Sequence, residues 1–169
     1  PLDGNNGNAG YIGHTILDVN GPECVCGNRG CLDAFSGELA MNRLYRTQTG
    51  QEGLEEYYTL YDFIEKAKKG DEDSARILQR SAFYLGIALS NLLKTLEVET
   101  VIVGGCSNLE GSVYWETLKN TVRDSLVHDM EMNPDIRPGR LCREEYALGA
   151  CCYVFEHLFA KPKLSLAVI

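Results

Sequence analysis

The chain has 169 residues, of which 44% are apolar and 24% charged, and a formal net charge of −8. That length can enclose a real core, no apolar run approaches the ~20 residues that span a bilayer, and the polar, glycine-rich opening PLDGNNGNAG lacks the pattern of a secretion signal. The acidic balance argues against a nucleic-acid-binding surface, which needs clustered lysine and arginine, and it favours solubility.

Residues 1–9 carry turn chemistry throughout. GYIGHTILDV is rich in strand formers and predicts a strand pair or a bent strand. An irregular stretch with GP and GNRG turn signals follows. A helix is expected from Asp33 or Ala34 to about Arg46, a loop over 47–58, and a second helix over 59–69 that Gly70 ends. Asp71-Glu72-Asp73-Ser74 suits a helix N-terminus. Ala75, Leu78, Ala82, Leu85, Leu89, Leu92 and Leu96 then recur at spacings of three and four, which predicts a helix over 72–97. Its small residues Ala82, Gly86, Ala88 and Ser90 predict close packing against a neighbour. ETVIVGG (99–105) reads as a buried strand ending in a glycine pair, and 110–129 as an amphipathic helix. Pro134, Pro138 and Gly139 act as breakers, followed by a short segment RLC and a last helix over 144–159. The tail over 161–169 has no evident packing pattern.

Helices alternating with strands in the second half predict an α/β domain. Gly104 and Gly105 fall just beyond a strand's carboxyl end, where such sheets bind ligands and where glycine lets a ligand reach the backbone. A tight turn explains the pair equally well.

Seven cysteines are an odd number, and without a secretion signal a reducing cytosol fits better than a disulfide framework. Cys106, Cys142, Cys151 and Cys152 lie in or beside apolar runs and read as small buried hydrophobes. Cys24, Cys26 and Cys31 fall within eight residues, and His14 precedes the first of them by ten positions. A Cys24–Cys26 disulfide would close a very small ring and leave Cys31 over. The C-x-x-C spacing of redox pairs is absent. Three thiolates and an imidazole match the Cys3His set of structural zinc, with Gly27 and Gly30 letting the chain fold round an ion. The C-x-C-x4-C spacing differs from that of common zinc fingers, and an ordinary core or surface histidine is the rival reading of His14.

HTILDVNGPECVCGNRGCLD closely resembles the signature of the ROK family of repressors, open-reading-frame proteins and sugar kinases. That signature places G-H-x about ten residues ahead of C-x-C-G-x-x-G-C-x-E. The elements here are Gly13-His14-Thr15 and Cys24-Val25-Cys26-Gly27-Asn28-Arg29-Gly30-Cys31-Leu32-Asp33. The resemblance continues through AGYIGHT, the long helix leading into VIVGG, and ALGA at 147–150. It implies the C-terminal lobe of an actin-like, hexokinase-type ATPase fold over 1–160, with a zinc-bound loop and a separate tail over 161–169. It also implies that the chain begins just before the third strand of that lobe, as a segment of a longer protein.

By the same resemblance His14, Cys24, Cys26 and Cys31 bind a structural Zn²⁺. Tyr11, His14 and Asp33 border a sugar or sugar-phosphate pocket, and Gly104 and Gly105 meet the adenosine of ATP–Mg²⁺ in the kinases. The chain departs from the family at two sugar contacts. Tyr11 replaces the glutamate of G-E-x-G-H, and Asp33 replaces that of C-x-E. A phenol still hydrogen-bonds but is neutral and bulkier. The family's catalytic aspartate and phosphate-binding glycine loop lie upstream of Pro1, so no catalytic residue is assigned here. The implied protein is cytoplasmic, a homo-oligomer (dimer or tetramer), free of membrane, and meets DNA only through a domain not in this chain. The altered contacts favour the effector-binding domain of a sugar-sensing transcriptional regulator. A regulator needs only differential affinity between two states, whereas phosphoryl transfer needs an aligned hydroxyl. The second lobe of an ATP-dependent hexose or N-acetylhexosamine kinase is the alternative.

Overall fold

A single helix of 25 residues runs through the structure, a computed structural model that describes residues 4–6, 8–51, 56–105, 107–126, 133–139 and 146–159. In chain order the elements are a 3-10 turn (Ile12–His14), α1 (Leu32–Ser36), α2 (Glu38–Thr49), α3 (Leu60–Lys68), α4 (Glu72–Leu96), β1 (Thr100–Val103), α5 (Val113–Ser125), β2 (Asp135–Pro138) and α6 (Tyr146–Phe159).

Helix α4 begins where its sequence says it should. The Oδ1 of Asp71 accepts the backbone N–H groups of Asp73 and Ser74 at 3.1 and 3.2 Å, and its Oδ2 accepts the hydroxyls of Ser74 and Tyr45, each at 3.0 Å. Two otherwise orphaned donors of the first turn are thereby satisfied. Ile77, Leu78, Ala82, Leu89 and Leu93 then bury one face of α4 against Met41 and Tyr45 of α2, Phe63 and Ile64 of α3, and Leu118 and Val122 of α5. The close packing expected from the small residues is with α5. A Cβ at Gly86 would stand 2.7 Å from the Cβ of Thr121, closer than carbon atoms approach without displacement.

β1 and β2 pair in parallel, Thr100 opposite Asp135 through Val103 opposite Pro138, with α5 between them in the chain. This βαβ unit is the α/β character expected. The second strand lies in the stretch read as breakers. Pro138 ends it, a position where the missing N–H costs no ladder bond. The RLC segment lies outside the described residues.

Three further expectations need correction. GYIGHTILDV forms a 3-10 turn and one isolated bridge between Ile16 and Cys31, not a strand pair. Its backbone is held by short-range turns and by a few bonds to the cysteine segment, such as Leu17 N–H to Gly30 O at 2.8 Å. The helix expected from Asp33 to Arg46 is two helices, because Gly37 is extended (φ −67°, ψ 154°) and its N–H bonds back to Asp33 O. Cys151 and Cys152 are exposed on α6, alongside Leu148, Phe155, Leu158 and Phe159. Apart from Glu156 and His157 the sequence of α6 is apolar or aromatic, so its periodicity does not say which side is covered. Cys106 and Cys142 lie outside the described residues. Among the described residues no helix is long and apolar enough to cross a membrane.

The cap of α4 gives a pH-dependent expectation. Burial pushes the Asp71 carboxyl up, but the hydrogen bonds from Ser74 and Tyr45 outweigh it and hold it below its ordinary value. A lowered native pKa contributes stability above the unfolded value and loses it as pH falls through the native one. Asp71→Ala should cost about 1 kcal/mol in urea unfolding at neutral pH. The gap to the unmutated chain should narrow as pH drops below about 4.

Candidate functional site

The loop from Asp18 to Cys31 is shaped by backbone constraints that only glycine meets. Gly30 has φ +70°, and a Cβ there would lie 1.5 Å from the carbonyl oxygen of Asp18. Gly30 N–H bonds to Pro22 O, Cys24 N–H to Asn28 O and Gly27 N–H to Cys24 O, at 2.8, 2.8 and 3.0 Å. Outside this small hairpin an Arg29–Glu23 ion pair of 2.7 Å clips its two arms. The result turns three thiols and the 3-10 turn's histidine toward one point.

There the Sγ atoms of Cys26 and Cys31 are 3.6 Å apart, and Cys24 Sγ is 3.7 Å from His14 Nδ1. All four ligand atoms lie within 4.8 Å of one another. A sulfur–sulfur gap of 3.6 Å is far from the roughly 2.0 Å of a disulfide. A tetrahedral ion bound at about 2.3 Å to sulfur and 2.0–2.1 Å to nitrogen separates its ligands by roughly 3.4–3.8 Å, close to the gaps observed. The donor set and its spacing therefore fit zinc. Burial, with the neighbouring thiols adding to it, pushes the Cys31 thiol up to about 12. A hydrogen bond from the backbone of Asn28 leads the forces that lower Cys26. Raised so far, Cys31 is a neutral thiol, and it ionises only with a cation close by.

His14 turns Nδ1 toward the thiols, and that atom is also 3.9 Å from Asp33 Oδ2. Asp33 lies hard against Gly13, where a Cβ would stand 2.5 Å from its Oδ1. The ring of Tyr11 stacks on that of His14, centroids 6.0 Å apart and planes 19° from parallel, and is 66% exposed. The four ligand candidates and the three sugar-contact candidates thus form one continuous surface. A cavity of about 340 Å³ runs from it, lined by Ile12, Gly13 and Asp33 at one end and by Gly104, Gly105 and Tyr114 at the other. Tyr11 and His14 stand outside that lining, so of the three sugar-contact candidates only Asp33 lines the cavity. The glycine pair sits at the carboxyl ends of both strands. Gly105 has φ +93°, and Gly139 comes so near that its Cβ would be 2.9 Å from the Cα of Gly104.

Sequence reasoning missed two contributors. Glu38, in the cavity wall, accepts the Leu60 N–H at 2.8 Å and the Tyr57 hydroxyl at 3.2 Å, tying α2 to the start of α3. A carboxylate in the first turn after a helix-breaking glycine was the available signal. Gly139, read only as a breaker, is the backbone neighbour of Gly104.

The model of the ROK family matches residues 1–156. The chain belongs to the ROK family. This ROK chain is 29% identical over 161 residues to a xylose repressor of Bacillus spizizenii, covering 95% of the chain and 40% of that protein. It is 33% identical to an N-acetylmannosamine kinase of Haemophilus influenzae, covering 95% and 50%. The crystal structure of a ROK hexokinase from Thermus thermophilus superposes with a TM-score of 0.76 at 28% identity, covering 93% of the chain and 51% of the hexokinase. The ROK chain therefore spans about half the length, or less, of these relatives, which include both repressors and sugar kinases.

Gly30→Ala tests whether the loop's backbone sets the cluster. Strain at positive φ and the clash with Asp18 O should together destabilise the loop by more than about 2 kcal/mol. Thermal unfolding should record that loss, whereas Gly27→Ala, with open space around its Cα, should cost less.

Proposed function

We propose that the chain is the sugar-binding lobe of a ROK transcriptional regulator, with a structural zinc ion on His14, Cys24, Cys26 and Cys31 that holds one wall of the sugar site. The observation that carries this reading is the stack of Tyr11 on His14 beside Asp33. It replaces a charged acceptor with a neutral, exposed phenol. His14 bound to zinc through Nδ1 keeps its proton on Nε2 and offers a fixed donor to a sugar hydroxyl. Asp33 accepts from a neighbouring hydroxyl, and Tyr11 lays its ring or its hydroxyl against the sugar. The ion does no chemistry and fixes the orientation of His14. DNA would be met only through a domain outside this chain, and the protein works as a homo-oligomer in the cytoplasm, assembling through α4 or the open edge of the β1–β2 pair.

Kinase relatives favour a second reading, in which Gly104 and Gly105 meet the adenosine of ATP–Mg²⁺ at the far end of the same cavity. The cost of the substitution at position 11 separates the two. A hydrogen bond to a charged group contributes roughly 1.5–3 kcal/mol. Its loss slows a reaction that depends on it by about 10- to 150-fold.

Two measurements follow. Freshly purified chain should contain about one zinc per molecule, and Cys26→Ser should lower both zinc content and melting temperature. Zinc-free native protein would remove the metal from the reading. The full-length parent should bind a neutral monosaccharide in calorimetric titration and show little sugar-dependent ATP turnover on hexoses and N-acetylhexosamines. Robust turnover would replace the regulator with the kinase.

A further inference from the structure

The three loop thiols are not equivalent. Cys31 is fully buried, Cys24 is 9% exposed and lies against the His14 ring, and Cys26 faces solvent. Cys26 Sγ lies 3.6 Å from that of Cys31, with Cys24 Sγ also within 4.8 Å. The zinc reading makes each sulfur a thiolate, since a coordinating thiol is deprotonated. A thiolate is the form that attacks peroxide, and accessibility decides which one does so.

We propose that Cys26 is a peroxide-oxidised modification site, and that its disulfide with Cys31 expels the metal. The Cys26 thiolate attacks one oxygen of hydrogen peroxide. The O–O bond breaks, hydroxide leaves, and Cys26 becomes a sulfenic acid whose O–H is the one that oxygen carried in the peroxide. The Cys31 thiolate then attacks that sulfur, the S–O bond breaks, and a second hydroxide leaves. Two thiolates are oxidised by two electrons, one peroxide is reduced to two hydroxides, and the ion loses two of its four ligands.

The backbone says which arm moves. Closing the gap to about 2.0 Å needs a shift of more than an ångström. Gly30, beside Cys31, is pinned against Asp18 O, whereas Gly27, beside Cys26, has nothing within 4 Å of a Cβ position. The Cys26 arm therefore swings inward. Cys31 is also the N-cap residue of α1, and Asp33 lies in the first turn of that helix. Losing the ion frees His14 at the same time. Oxidation thus dismantles the wall that the proposed sugar site shares with the metal.

This inference rests on the metal reading of the cluster, so the first measurement is the zinc content of the untreated full chain. The experiment uses a Cys151→Ser, Cys152→Ser variant, which removes the exposed thiols of α6 and keeps every loop ligand. Hydrogen peroxide is added in small excess, released zinc is read with a chromogenic chelator, and the products are mapped by peptide mass spectrometry. The expected result is near-complete zinc release, a mass loss of about 2 Da on the peptides bearing Cys26 and Cys31, and recovery with thiol reductant plus zinc. Zinc present at the start but retained under peroxide overturns this proposal and leaves the metal reading standing. So does release with the disulfide mapped to Cys24. No zinc at the start overturns both.

Discussion

From residue 10 to residue 31 the only buried positions are Gly21, Gly30, Cys24 and Cys31. Such a segment has almost no apolar surface with which to offset the entropy of ordering its backbone. It is held by short-range turns and by the convergence of four ligand side chains on one point. In the proposed reading a bound ion supplies that stability, because metal-binding energy in such a loop is folding energy. What depends on that convergence is extensive: the direction of His14, the N-cap of α1, and through it the place of Asp33.

The rest of the domain is built differently. α4 buries its face against α2, α3 and α5 with ordinary apolar packing, and its N-terminus is fixed by one aspartate. The parallel strand pair hangs on the same core through Val101, Val103 and Ile136. Its carboxyl end carries bare peptide at Gly104 and Gly105, facing the cavity. In the proposed reading, a wall held by the metal stands opposite a core-dependent floor. A site assembled from two such parts can alter one without unfolding the other.

Much of this was legible because the signals are local. The stripe from Ala75 to Leu96 and the Asp71 cap announced α4 almost to the residue, and the small residues announced a close neighbour that proved to be Thr121. The grouping of His14 with Cys24, Cys26 and Cys31 was suggested by residue type and spacing, and the structure brings the four together. Other elements were hidden for physical reasons. β2 contains a proline and only one aliphatic residue, so its pattern carries no strand signal; pairing with β1 makes it a strand. The segment around His14 carries strand formers, yet its backbone partners are turns that a propensity scale does not see. The largely apolar α6 gave little clue that its cysteines face outward, because an apolar run does not record what lies beside it.

Gly86 brings the backbone of α4 against Thr121 closely enough that neither helix can slide past the other without a side chain giving way. α5 in turn joins β1 to β2, so the glycine floor of the cavity moves with α4 as one stiff block. Interiors packed to this density transmit displacement rather than absorb it. The compliance of the cavity therefore lies on the opposite side, in the few residues around His14 and Asp33. In the proposed reading, a ligand filling the cavity tilts the loop that carries His14 against this frame.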